Sequence, residues 1–478
     1  MLFNSLQFAL FFIIVFILYL CFNHKWQNRL LLVASCIFYG AWDWRFLSLI
    51  FISITTDYLC SLKIRGSPVH KKRKRFLILS ILVNLSILGF FKYFNFFSSS
   101  VTAFLGIFGL TIHPFLLKVA VPVGISFYTF KSMSYTFDVY AGKIEPTRDF
   151  MDYALFVSFF PQLLAGPIMR AQDLLPQISS HRKLSAAYFW EGCYLIFWGL
   201  FQKVFIADNL AKIVYPVFTS QGPYYGIQVL TATYAFAFQI YCDFAGYSNI
   251  SIGIAKCMGF ETTLNFNLPY FATHPQEFWR RWHITLSMWL RDYIFVPISF
   301  AKRSWGSAGV AFALMATFLL CGLWHGAGWT YVVWGGYHGA LLIMYMFIKP
   351  VLMKIPSPRN IFLKKAGFVL RMVFFFNLIC LGWLVFWSPS MTQVFNMLHA
   401  LMFNFTTSGL DIKPVVLSLL SFTWLLVLVE IVQFLKKDLM CIPKSNVVVK
   451  ALFFAACFYL LAKWGVPSGS AAFIYYIF

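Results

Sequence analysis

The stretch SWGSAGVAFALMATFLLCGLWHGAGWTYVVWGGYHGALLIMYMFI, residues 304–348, runs for 45 residues without one Lys, Arg, Asp or Glu, and near its centre stands His325. Crossing the hydrocarbon core of a bilayer takes roughly 20 apolar residues. The run exceeds that length and reads as two membrane segments, 308–324 and 329–348, on either side of Gly326-Ala327-Gly328. An ionisable group inside such a run has to be satisfied by protein or by a water-filled cavity, which makes it a functional candidate. His325 is therefore the residue from which the rest of the chain is read.

Outward from that run the same character continues. Of 478 residues 60% are hydrophobic and only 11% are charged, whereas a soluble domain carries about 25% charged residues. The expected fold is all-α, a polytopic membrane bundle of roughly 11–13 helices. The expected segments are 5–22, 30–42, 46–62, 76–97, a broken 101–135, 188–207, 227–254, 308–324, 329–348, 366–388, 415–435 and 449–463. Pro114, Pro122 and Gly124 break one of them, and Pro161 and Pro167 interrupt the apolar stretch 151–169. Broken helices inside a bilayer need protein or a cavity around the freed backbone groups, so the bundle is expected to surround a central tunnel. No internal repeat, low-complexity tract or soluble domain is apparent, and one membrane domain, 1–478, is expected, ending in an extracytoplasmic aromatic tail, 464–478.

The formal charge of +22 comes from 38 Lys and Arg against 16 Asp and Glu. Its distribution argues against nucleic acid. The cations gather in short loops between apolar segments: Lys63 to Arg75, Lys349 to Lys365, and Lys436 to Lys450. That is the positive-inside pattern of cytoplasmic loops, with a secondary use in attracting an anionic cytosolic substrate. Counting segments from these loops puts Lys25 and Arg29 inside and both termini outside. Met1 to Gln7 has no basic region typical of a secretory signal, so the first apolar run is expected to be a retained helix. The ten cysteines form no Cys-x-x-Cys pair and read as small membrane hydrophobes.

Three places carry candidate chemistry. The first is His325, walled by Trp324 and Trp329 and flanked by Gly322, Gly326 and Gly328. Burial favours the neutral imidazole, the species a general base must be; a structural histidine bonded between helices is the other reading. The second is HPQEFWRRWHITLSMWLRDYIFVP, 274–297, read as one helix starting after Pro275. Trp279, Trp282, Leu286, Trp289 and Tyr293 then form one stripe, and Gln276, Arg280, His283, Ser287 and Arg291 an adjacent polar one. Such a helix suits an interface or a cavity rim, its arginines binding phosphate or anchoring headgroups. The third is FIYYIF, 473–478, after the tether Pro467 to Ala472. Tyr475 there offers a hydroxyl as acyl acceptor, and packing against the bundle is the alternative. Metal binding is not expected: His325 and His338 are thirteen apart, and no His lies four from another, as paired ligands on one helix face would. No nucleophile elbow and no phosphate loop occur either.

Several motifs together resemble the membrane-bound O-acyltransferase family: LLVASCIFYGAW (31–42), GFFKYFNFF (89–97), PVGISFYTF (122–130), FFPQLLAGPI (159–168), QIYCDFAGYS (239–248), FWRRWHITLS (278–287) and GLWHGA (322–327). The chain is most similar to the branch of bacterial alginate O-acetyltransferases, with relatives acting on peptidoglycan and teichoic acid. The resemblance implies that His325 is the catalytic histidine and His283 the second characteristic one. It implies that Trp324, Trp282, Arg280, Arg281, Ser287 and Asp243 line the tunnel or the substrate path, and that Tyr475 is the tyrosine of a terminal aromatic motif. It further implies acetyl-CoA as donor with no permanently bound cofactor. The expected partners are a polysaccharide or glycan acceptor, an extracytoplasmic SGNH-type or related acetyltransferase, and membrane lipids, with the chain in the bacterial inner membrane. A multi-pass transporter of an anionic metabolite or lipid-linked sugar also fits broken helices around an ionisable residue, and a scaffold recruiting a secreted transferase is a third reading.

Overall fold

The computed structural model describes residues 1–110, 112–354, 356, 358–407, 411–466 and 473–474. Every regular element among the described residues is helical. Seven helical stretches are long and apolar enough to cross a membrane: His24–Gly66, His70–Ile107, Arg303–His325, Trp329–Leu352, Ile361–Trp387, Lys413–Lys436 and Val447–Trp464. Leu6–Cys21 is a shorter apolar helix. The first stretch holds two expected segments, and the second holds 76–97 with the start of 101–135. A 3-10 turn at Trp44–Phe46 joins 30–42 to 46–62, and a π turn at Gly89–Tyr93 lies within 76–97. The break expected in 101–135 is present, one helix ending at Ile107 and the next starting at Ile125.

The chain divides into two compact units, Met1–Cys193 with Ser251–Thr263, and Tyr194–Ile250 with Leu264–Phe478. At the heart of the first lies Asp57, which has no water to turn to at membrane depth. Its oxygens accept hydrogen bonds from Ser80 Oγ at 2.6 Å, Asn84 Nδ2 at 2.9 Å and Ser132 Oγ at 2.5 Å, and Ser132 also meets the Tyr153 hydroxyl. Three helices are tied by this one carboxylate.

The second unit is built on a hairpin of two helices, Gly306–His325 and Trp329–Leu352. Small residues let helices approach closely in a membrane, where apolar surface alone gives no preference for protein over lipid. A Cβ on Gly322 would sit 2.1 Å from the Tyr331 carbonyl oxygen, and one on Gly335 2.2 Å from that of Phe318. The two glycines thus set the separation of the helices, and the separation places His325 at the hairpin tip. Gly335→Ala is expected to force the hairpin apart at a cost of about 1–3 kcal/mol. Gly367→Ala, whose Cβ would meet nothing within 4 Å, is the control. Melting of the two variants in detergent checks this, and equal melting temperatures would refute it.

Candidate functional site

His325 is the last residue of its helix and is 4% exposed. Its ring meets the edges or faces of Trp324, Trp334 and Phe386, with centroids 4.9, 5.0 and 5.4 Å away. Trp334 also meets a second imidazole, His338, at 4.8 Å. One indole therefore contacts two buried histidines. No group of three or more His, Cys, Asp or Glu suited to a metal occurs among the described residues.

His283 corrects the single helix read over 274–297. One helix runs Pro275–Arg281 and the next Ile284–Leu290, with a π turn following at Arg291–Phe295. His283 stands at the break with φ 41° and ψ 55°, the left-handed region. That conformation is strained for a side-chain-bearing residue and persists where the surroundings fix it. Here a strap at 265–267 fixes it. Asn267 N–H donates to the Arg281 carbonyl at 2.9 Å, and Ile284 N–H donates to the Asn265 carbonyl at 2.9 Å. The Asn265 side-chain oxygen accepts from His283 Nδ1 at 3.0 Å and from the Thr285 hydroxyl at 3.0 Å. With the proton on Nδ1, a neutral ring carries its lone pair on Nε2. The imidazole is fully buried between Phe244, at 4.7 Å, and Trp324, at 5.9 Å.

The break also sorts the polar stripe. Gln276, Arg280, Ser287 and Arg291 line a cavity of about 700 Å³, while His283 turns away into the core. The cavity's other wall is the hairpin, including Val310, Thr317, Cys321, Leu342 and Met346. Arg291 pairs with Asp292 at 2.6 Å, and Arg280 pairs with no carboxylate among the described residues. A second cavity, of about 810 Å³, is lined by Ala327 to Tyr331 with Tyr215, Gln221, Ser388 and Ser390. One chamber reaches Cys321 and the other begins at Ala327, so the short chain between them, with His325 on it, lies where the two come nearest in sequence. Arg280 gives the first chamber a guanidinium of the kind that binds phosphate or carboxylate.

The remaining sequence candidates fall elsewhere. Trp282 is buried in an aromatic cluster with Phe266, Phe278 and Trp383. Arg281 is tied to Glu277 at 2.9 Å. Trp324 contacts both the His283 and the His325 rings. Asp243 pairs with Lys203 at 2.7 Å and lines neither chamber. Tyr475 lies outside the described residues. Asn265 and Lys203 were not singled out from sequence. Lys203 gave a signal, a cation inside the apolar segment 188–207; Asn265 gave none, since its role depends on a contact across 18 positions.

Burial pushes the His283 imidazole down to about 3. An unfolded histidine titrates near 6.5. Between these values the unfolded chain binds a proton that the folded one refuses, so this contribution to stability is complete above about 6.5 and is lost as pH falls toward 3. Asn265→Asp sets a carboxylate beside Nδ1 and raises the imidazole's pKa. Its melting temperature is expected to fall less than the wild type's between about pH 7 and pH 5; parallel falls would refute the assignment.

A model of the MBOAT, membrane-bound O-acyltransferase, family matches residues 70–386. The chain is 40% identical over 415 residues to a "Probable alginate O-acetylase AlgI" of Pseudomonas aeruginosa, covering 85% of this chain and 76% of that one. It is 39% identical to a protein of the same name from Azotobacter vinelandii, covering 93% and 88%. A "Peptidoglycan O-acetyltransferase" of Helicobacter pylori is 32% identical, covering 79% and 74%. With seven helices able to span a bilayer and this match across most of its length, the chain belongs to the membrane-bound O-acyltransferase family and is a multi-pass O-acyltransferase.

Proposed function

We propose that this chain passes an acetyl group from cytosolic acetyl-CoA across the bacterial inner membrane, for O-acetylation of an exported polysaccharide or cell-wall glycan, with His325 as the general base. The observation that carries the reading is a pair of chambers along the hairpin that bears His325: one reaches Cys321 and has Arg280 and Arg291 on its wall, the other begins at Ala327, and His325 itself is buried and lines neither. Relatives named for alginate and peptidoglycan O-acetylation support the acetyl group and the glycan class.

Orientation follows from charge. The basic loop 349–365 is cytosolic by the positive-inside rule, so Trp329–Leu352 runs inward and its partner helix outward. On this reading the arginine-bearing chamber opens toward the cytosol, and the chamber at Ala327 to Tyr331 toward the far side. Acetyl-CoA is polyanionic and stays at the basic side, its pantetheine arm reaching inward. His325 takes the proton of an acceptor hydroxyl as the oxygen attacks the thioester carbonyl. The tetrahedral adduct collapses, the C–S bond breaks, and the imidazolium returns the proton to the departing thiolate. A dry site protects the thioester from hydrolysis. His283, neutral and oriented by Asn265, backs the same aromatic wall and holds Trp324 against His325.

The acceptor hydroxyl is the phenol of Tyr475 or the glycan itself. In the first case the acetyl tyrosine passes its group to a glycan hydroxyl, directly or through an extracytoplasmic SGNH-type transferase, and the phenol is restored. No resident cofactor enters this chemistry.

Inside-out membrane vesicles supplied with acetyl-labelled acetyl-CoA test the reading. His325→Ala is expected to lower base-labile label on protein and glycan by roughly 10²–10⁴-fold, the usual contribution of a general base, at equal protein level. Full transfer by that variant would move the chain toward the transporter or scaffold readings. Tyr475→Phe removes only the hydroxyl. It is expected to abolish the protein-bound label, and unchanged transfer to glycan would rule out the carrier step.

A further inference from the structure

A second buried polar centre lies in the same unit and lines neither chamber. Lys203 belongs to a π-helical stretch, Phe201–Ala207, a local form frequent at functional positions. Its ammonium pairs with Asp208 at 2.8 Å and with Asp243 at 2.7 Å, all three side chains being at most 4% exposed. One cation thus faces two carboxylates. Buried charges are costly unless every lone pair finds a donor, and Lys203 meets Asp243 through Oδ1. The other oxygen, Oδ2, accepts the backbone N–H of Ile474 at 2.7 Å. The Phe473 ring lies on Tyr247, one helical turn after Asp243, at 4.1 Å. Both residues are buried. Upstream, Trp464 and Val466 bond to the same region, through Asn209 Nδ2 at 2.8 Å and the Val204 carbonyl at 3.2 Å.

Asp243 and Tyr247 sit on the helix Gly226–Cys257, and the residue between them in the ring chain, Phe244, packs against His283. The chain at 473–474 is therefore held by the same helical turn that backs the second histidine. We propose that Asp243, charged and oriented by Lys203, is the docking acceptor for the segment leading into Tyr475, and so a positioning residue for acyl transfer to that tyrosine. Recognition is divided: the carboxylate takes a backbone N–H, which any residue but proline offers at 474, and Tyr247 takes the aromatic ring at 473. The transfer part of this proposal rests on the carrier reading of Tyr475; the docking part does not.

The test uses the full chain in membranes and compares Ile474→Pro with Ile474→Ala. Both remove the side chain's bulk, and only the first removes the N–H. Ile474→Pro is expected to lose hydrogen-exchange protection over the peptides around 473 and to carry about ten-fold less label on Tyr475, the size of one charge-assisted hydrogen bond. Ile474→Ala is expected to keep both near wild type. Asp243→Asn, which removes the charge with little change of shape, should match the proline variant, and Ile474→Pro keeps the test open if Asp243→Asn does not fold. Equal protection and equal label in the alanine and proline variants would overturn the proposal. Lost protection with unchanged label would overturn the positioning role. If the wild type carries no label on Tyr475 while the proline variant still loses protection, the carrier reading fails and the docking stands.

Discussion

A polar group buried in this bundle has no water to fall back on, and the arrangement of this chain follows from where each such group finds its partner. Asp57 finds three donors on neighbouring helices. Lys203 finds two carboxylates, and one of those finds a backbone amide from residue 474. His283 finds Asn265. Each partnership joins segments distant in sequence, so the costs of burying polarity become the ties that hold an otherwise greasy bundle in one arrangement. Apolar packing alone gives little preference between helix neighbours in lipid; these few bonds, and the close glycine contact of the hairpin, supply it.

The same constraint shapes the site. His325 is enclosed by Trp324, Trp334 and Phe386 at the tip of a hairpin whose spacing Gly322 and Gly335 determine. The polar stripe that would have been continuous on an unbroken helix is split by the turn at His283. Its arginines and serine go to a chamber and its imidazole goes to the core. A left-handed residue is the device that does this, since it reverses the side-chain direction within one position while both flanking helices keep their bonds.

The parts of this that were legible in the sequence were those written in contiguous residues. The chargeless run 304–348 marks the hairpin and its histidine, and the basic loops mark the segments. The motif order from LLVASCIFYGAW to GLWHGA carried the family. The helix break at His283 was not legible. Trp279, Trp282, Leu286, Trp289 and Tyr293 keep a helical spacing across it, and periodicity registers which residues are buried without registering that both sides of a turn bury their indoles. The strap that imposes the turn starts 18 residues earlier, at Asn265. Asp243 is marked in the sequence by its motif, but its pairing with Lys203, 40 positions away, is not legible there.

On the proposed reading, one demand explains why the histidine is walled by rings rather than by polar neighbours. Acetyl is to pass while CoA, water and ions do not. A water-filled tunnel would let the imidazolium lose its proton to water, and it would also hydrolyse the thioester and leak protons. Aromatic side chains exclude water over large areas at low conformational cost, and they yield to a flat acyl group by small rotations. Trp334 touches both His325 and His338, and Trp324 touches both His325 and His283, so each indole helps to exclude water while packing against two imidazoles. Sealing and positioning then fall to the same side chains, and neither can be relaxed without loss of the other.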